Sequence, residues 1–414
     1  MKKNIWIMNH YATGMFLDRG GRHYWFAENL RKNGYDPVIF CASTVHNSDK
    51  KIETDGRKYV EKATETGTKF VFVEATPYKG NGVSRVKNML SFALNLYSAA
   101  KIYAKEHGKP DIILASSVHP LTIVTGILLG KYFKVPCIAE VRDLWPETLI
   151  ACGIAGKYNP ATLCLRRLEK WIYKTADAVI FTMGGAYDYI AEQHWEKDIP
   201  RKKIHYINNG TDLNIFKHNR DNFSVDDADL SDKNTFKVVY AGSVRSANNL
   251  GMLLDTAKKI KDDRVKILIW GDGDELPALK ARQENEKIRN VVFKGRVGKK
   301  YIPYISSCAD LNIVHLSPVS VLMFGISSNK LFDYFAAGKP VLSDFPSRYN
   351  PIEEYDAGIV LDDPSPENVA AAIEHIANID EKAYMRYSEN ATKASLDFTF
   401  ERLTEKLIDI IENL

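Results

Sequence analysis

The sequence predicts an α/β protein built from two Rossmann-like domains, each a doubly wound parallel sheet, facing each other across a cleft. Three observations predict it. Short β-branched runs alternate with amphipathic helical patterns along all 414 residues, as in successive βαβ units. The apolar runs lack strict polar alternation, which suits strands covered on both faces. The series also breaks once, near residues 208–234, and then begins again, so two cores are expected rather than one long sheet.

In the first half, strands are expected over residues 4–8, 37–41, 69–74, 111–115, 136–141 and 178–182, with helices over 22–33, 84–106 and 160–174. Asn208, Asn209, Gly210, Thr211 and Asp212 form the expected hinge, because Asn, Gly and Asp are turn formers. The polar stretch 219–234 reads as a surface insertion beside it. The second series is expected over 237–241, 265–270, 290–294, 311–315, 340–343 and 358–361, with helices over 249–261, 329–337 and 366–377. The domains are therefore 1–207 and 208–397, with the helix in 398–414 returning to the first.

Composition is that of an ordinary globular chain, 45% apolar and 26% charged. The five cysteines are scattered without metal-ligand spacing, which suits a reducing cytosol and predicts no metal site. Asn9 and His10 end the first apolar run before a signal-peptide core is complete, so a first strand is expected there. The greasiest stretch, 112–133, is broken by Ser116, Ser117, His119, Pro120 and Lys131 and reads as strand then helix, not a membrane span. A net charge of +4 is too mild to imply nucleic acid. The excess concentrates between Lys79 and Lys109, where six basic residues face only Glu106. Lys79, Arg85 and Lys87 at the start of an amphipathic helix are expected to give weak, salt-sensitive binding to anionic membranes, hence a cytoplasmic protein peripheral on its membrane.

In open α/β sheets ligands bind beyond the carboxyl ends of the strands, so the turns there carry the candidates. Gly20 and Gly21 precede a helix and allow backbone N–H groups to approach an anion. His119 sits between a strand end and a proline-started helix, at the expected cleft mouth. Arg142, Asp143, Trp145 and Glu147 crowd charge and an indole beyond the next strand. In the second domain Gly242, Ser243 and Arg245 suit a diphosphate, with the guanidinium supplying a bidentate fork. Gly271, and Gly295 through Arg296 and Val297 to Gly298, leave open backbone for a base and ribose. Asn329, Lys330, Leu331 and Asp333 open a helix that Ser and Asn cap, with Lys330 and Asp333 on nearly one side to hold phosphate and ribose.

These residues resemble the family-four retaining glycosyltransferases of GT-B fold over almost the whole chain. The most specific pieces are Arg142–Glu147 and Asn329–Val341, similar to a branch that adds N-acetylated or deoxy amino sugars during bacterial surface-polysaccharide assembly. The resemblance implies a UDP-sugar donor, a polyprenyl-diphosphate-linked saccharide acceptor and no cofactor. It gives the donor phosphate to Gly20 and Gly21, the diphosphate to Arg245, the ribose to Asp333 and the base to Gly295–Gly298. It places His119 beside the transferred sugar, Arg142 to Glu147 on the acceptor side, and makes His119, Arg245 and Lys330 the catalytic set. It also implies front-face displacement without metal, positive side chains and a helix dipole doing that work. Two positions depart from the family: Gly325 stands where its first glutamate is usual, and Asn248, Asn249 and Leu250 occupy the stretch of a usual lysine, for which Lys330 is the candidate replacement. A non-hydrolysing UDP-sugar epimerase would share the fold, with Asp143 and Glu147 as its acid–base pair. A nicotinamide oxidoreductase is disfavoured by the missing GxGxxG.

Overall fold

The computed structural model describes residues 2–80, 82–117 and 119–414; Met1, Asn81 and Val118 lie outside it. The chain divides into two compact units, Met1–Asn208 with Phe400–Leu414, and Asn209–Thr399.

The first unit is built on β1 (Asn4–Met8), β2 (Asp36–Ala42), β3 (Tyr59–Ala63), β4 (Lys69–Val73), β5 (Ile112–Ser116), β6 (Cys137–Val141), β7 (Ala178–Phe181) and β8 (Ile204–Tyr206). They lie in the order β3-β4-β2-β1-β5-β6-β7-β8, and all pairs are parallel except β3–β4. The central strands are apolar because both faces are covered: Ile5, Trp6, Ile7 and Met8 are all fully buried. β3 and β8 escape the sequence pattern for physical reasons. β3 is a half-exposed antiparallel edge with polar Glu61 and Lys62, and β8 has only three residues.

The Val83–His107 helix buries Met89, Phe92, Leu96, Ala99 and Tyr103, the three- and four-residue spacing of one helical face. The Pro120–Phe133 helix lies so close to β5 that a Cβ on Gly126 would fall 2.4 Å from that of Ala115. The Phe400–Glu412 helix packs on the Arg22–Lys32 helix through Phe400, Leu403 and Leu407. Its end is tied down by Glu412, which pairs with Lys3 at 2.7 Å and accepts from the Tyr35 hydroxyl at 2.6 Å.

The second unit contains β9 (Phe236–Ala241), β10 (Val265–Trp270), β11 (Val291–Gly295), β12 (Leu311–Val314), β13 (Val341–Ser343) and β14 (Gly358–Val360), in the order β11-β10-β9-β12-β13-β14 and all parallel. Alternate residues feed two cores: Val238, Tyr240, Ile267 and Ile269 pack on one face, and Val239, Ala241, Leu268 and Trp270 on the other. That is a doubly wound sheet. The expected insertion over 219–234 is instead structured. It holds the end of the Leu213–Asn222 helix and the Ala228–Ser231 helix. Leu230 is buried, and Asp227 and Asp229 pair with Lys294 at 2.7 and 2.6 Å. Its acids serve buried lysine partners, which composition alone cannot reveal.

Strand order reverses beside β1 and β5 in the first unit and beside β9 and β12 in the second. These are the positions at which a doubly wound sheet opens to a ligand.

Candidate functional site

In the second unit the turns after β9 and β10 interlock backbone to backbone. Gly242 N–H donates to Trp270 O at 2.9 Å and Val244 N–H to Asp272 O at 3.0 Å. A Cβ on Gly271 would lie 1.7 Å from Gly242 O, and one on Gly273 would lie 2.0 Å from Val244 O. No side chain fits there. The result is an open cavity of about 820 Å³ lined by Gly242, Ser243, Arg245, Gly271, Arg296 and Gly298, with Trp270 and Val297 on its wall. The Arg245 and Arg296 side chains are exposed in this wall and make no ion pair among the described residues. Asn248 donates to Ser243 O at 2.7 Å and to its hydroxyl at 2.8 Å. It braces the Gly242–Arg245 turn.

Lys330 begins the Asn329–Ala336 helix and places Nζ 4.2 Å from the Tyr240 ring centroid. Gly242 makes room for it, since a Cβ there would meet Nζ at 2.9 Å. Burial pushes the ammonium pKa down to about 8, against the pull of Asp344. Asp333, one turn on, is held differently. The Thr211 hydroxyl donates to its Oδ1 at 3.1 Å, and burial raises its carboxyl to about 6. Asn209 Nδ2 donates to Ser327 O at 2.7 Å, so the turn after residue 208 clasps the start of this helix.

Two expectations for this helix need correction. Ser328 occupies the N-cap position but its side chain makes no capping bond. Leu331 is fully buried and its N–H donates to Ser328 O, so it is a core residue with nothing to offer a donor. Asn329 is exposed. The cavity wall thus gathers Gly242, Ser243, Arg245, Gly271, Arg296, Val297 and Gly298, with Lys330 adjoining it through Gly242, while Gly295, Asn329 and Asp333 are not among its lining residues. Gly325 has φ 114°, where a glutamate would be strained.

In the first unit Gly21, at φ 103°, starts the Arg22–Lys32 helix, with Gly20 before it. The two residues that follow turn inward. Arg22 Nε donates to Glu140 at 2.8 Å and Nη2 donates to Ile207 O at 2.9 Å. His23 Nε2 meets Glu140 at 2.7 Å, while its Nδ1 meets Asn9 Nδ2 at 2.7 Å. That pattern assigns His23 as the neutral Nε2–H tautomer. Burial opposes a charge on Glu140, but Arg22 and His23 outweigh it and hold the carboxyl well below its ordinary value. Glu140→Gln should therefore lower the stability of this unit by about 3–5 kcal/mol, the usual cost of breaking a buried pair. Because the folded value is depressed below 4.5, the contribution is present at neutral pH and fades as pH falls through the folded value. Thermal unfolding at pH 7 checks this; a change under about 1 kcal/mol would contradict it.

His119 was expected at an open mouth and is instead buried, 1% exposed, at the start of the Pro120–Phe133 helix. Its Nε2 lies 2.6 Å from His10 Nδ1, and His10 stacks on Phe92 at 4.2 Å. Burial, with Arg85 adding to it, pushes the His119 pKa down to about 3. Nearby, burial raises the Asp143 carboxyl against Arg142 and Arg85. Trp145 and Asp143 border a recess of about 20 Å³ that also touches buried Glu169. Arg142 N–H donates to the Ser117 hydroxyl at 3.0 Å. Glu147 forms an ion pair with Arg166.

Sequence reasoning passed over Arg22, His23, His10, His315 and Asp344. The last two form a buried pair at the strand ends, with His315 Nε2 2.9 Å from Asn249 O. Only their placement just after strands marked them.

Residues 24–215 match the model of Glycosyltransferase Family 4, and residues 235–378 match that of Glycosyl transferases group 1. The chain is 22% identical over 264 residues to a Pseudomonas aeruginosa protein named as a glycosyltransferase, WbjE, covering 63% of this chain and 62% of that protein. It is 23% identical over 275 residues to a protein of Bacillus subtilis named for teichuronic acid biosynthesis, the glycosyltransferase TuaH, covering 64% and 65%. The chain thus spans less than two-thirds of the length of these relatives. By shape it is similar to Anabaena Alr3699/HepE in complex with UDP, with a TM-score of 0.66 at 14% identity and all of both chains covered. It is also similar to a structure described as trehalose-6-phosphate from E. coli bound with UDP-2-fluoro glucose, with a TM-score of 0.73 at 11% identity over 100% and 99% of the two chains.

Proposed function

The chain belongs to the family 4 glycosyltransferases of GT-B fold, and from that premise we propose that it moves a sugar from a UDP-sugar to a saccharide acceptor in bacterial surface-polysaccharide assembly. The observation that carries the reading is the glycine-walled cavity at the β9–β11 strand ends, with Arg245 and Arg296 facing it unpaired. Two unpaired guanidiniums on a glycine-built wall suit a diphosphate. Lys330 adds charge behind Gly242, and the Arg296–Gly298 stretch of the wall takes the base.

The finer proposals follow. The transferred sugar is an N-acetylated or deoxy amino hexose, and the acceptor is carried on a polyprenyl diphosphate. Transfer retains the anomeric configuration, with the leaving diphosphate accepting the acceptor's proton. The arginines and Lys330 neutralise the leaving group, so no metal is required.

A transfer assay with UDP-N-acetylhexosamines tests this. UDP should be released only when a lipid-linked saccharide is present, and release should persist in EDTA. Conversion of the donor alone into its epimer would contradict transfer. Loss of activity in EDTA, restored by magnesium or manganese, would contradict the metal-free step.

A further inference from the structure

Ten of the sixteen large apolar side chains that stand exposed among the described residues fall between Val83 and Leu163. That concentration is not explained by the core. The inner face of the Val83–His107 helix packs through Met89, Phe92 and Leu96, yet the opposite face is apolar as well. Val83, Val86, Leu90 and Leu94 are 85, 54, 48 and 73% exposed, and their three- and four-residue spacing aligns them in a row of about 16 Å.

The Pro120–Phe133 helix continues this surface. Its Thr125 hydroxyl donates to Ala93 O at 3.4 Å, and its outward Leu128 and Tyr132 are 44 and 51% exposed. Lys101 joins the two helices, with Nζ 4.3 Å from the Tyr132 ring and 5.4 Å from that of Tyr97. Lys131 lies over Trp171 of the Pro160–Thr175 helix at 5.5 Å.

The charge on this surface has one sign. Lys87, Lys101, Lys105, Lys131 and Lys134 make no ion pair among the described residues. The Pro120–Phe133 helix carries no acid, and the Val83–His107 helix carries only Glu106, which accepts from the Tyr59 hydroxyl. Apolar ridge, lysines and interfacial Tyr and Trp together match the headgroup region of an anionic leaflet. We propose that this face docks on an anionic lipid surface, with the Val83–Leu94 row entering the leaflet and the lysines meeting its phosphates.

The site differs from the one expected at Lys79, Arg85 and Lys87. Lys79 pairs with Asp49, and Arg85 is half-buried with its charge felt by His119. For its purpose the proposal rests on the lipid-linked acceptor, since docking would bring the first unit to the membrane that holds it.

Co-sedimentation with phosphatidylcholine vesicles, with and without phosphatidylglycerol, tests it. The wild type should pellet with the anionic vesicles and be released by salt. Leu90→Glu with Leu94→Glu, both at exposed positions, should reduce binding about tenfold or more, because two leucines no longer enter the leaflet. Lys87→Gln with Lys131→Gln and Lys134→Gln should remove the preference for anionic lipid. A wild type that stays in the supernatant, or a leucine pair without effect, overturns the proposal. So does self-association of the wild type that the glutamate pair abolishes, since the face would then join two copies. UDP-induced thermal stabilisation, read in parallel on each variant, reports separately on the donor reading.

Discussion

Replacing Arg245 by alanine is expected to weaken nucleoside-diphosphate binding by about 1.5–3 kcal/mol, the range for a hydrogen bond to a charged group. Turnover should fall further, by about 10²–10³, because charge on the leaving diphosphate grows in the transition state. The expectation comes from where the guanidinium stands: exposed on the wall of the 820 Å³ cavity, on a turn braced by Asn248, with no internal partner to lose. The protein should therefore fold normally. Arg245→Lys should restore only part of the activity, since a point charge replaces a planar fork. Steady-state kinetics with calorimetric UDP binding check both. Equal activity in the lysine variant would mean that Arg245 supplies field and not geometry.

His119→Ala is expected to lower kcat by about tenfold, the worth of one neutral hydrogen bond of about 1.4 kcal/mol made in the transition state. UDP affinity should hardly change, since the proposed nucleotide contacts belong to the second unit. The geometry specifies the role of the ring. Across the 2.6 Å contact between His10 Nδ1 and His119 Nε2 one ring donates to the other. A His119 that donates Nε2–H there is the tautomer whose Nδ1 lone pair, without a partner among the described residues, can meet a substrate. With its pKa pushed down to about 3, the ring is neutral at working pH. It can accept a hydrogen bond from a substrate hydroxyl but will not carry charge. His10→Ala should release this tautomer and reproduce part of the loss, whereas His10→Asn, which keeps a polar partner, should restore some of it. Normal turnover in His119→Ala would return the histidine to a packing role.

What the sequence disclosed and what it hid divide along a physical line. Parallel strands buried on both faces leave long apolar runs, so β1, β5, β9 and β10 were legible, and glycine turns at their ends marked the cavity wall. Edge strands such as β8 leave too short a signal. Pairings between distant residues leave none. Arg22 and Glu140 are 118 positions apart, and His10 and His119 are 109 apart. A local reading therefore could not show the partners that the fold gives His119 and Glu147, which are His10 and Arg166. Leu331 shows the converse. Asn329, Lys330 and Asp333 around it are polar, so it was read with them, yet helical geometry turns it into the core.

The most direct test of the account is a thermal-shift titration of the wild-type protein with UDP, GDP and a set of UDP-sugars. A nucleotide that binds the folded protein alone at 100 times its dissociation constant adds about 2.7 kcal/mol of stability. The account predicts that UDP and at least one UDP-sugar raise the melting temperature, that GDP does not, and that Arg245→Ala loses the shift. A melting temperature unmoved by every nucleoside diphosphate, at concentrations that saturate glycosyltransferases of this fold, would contradict it.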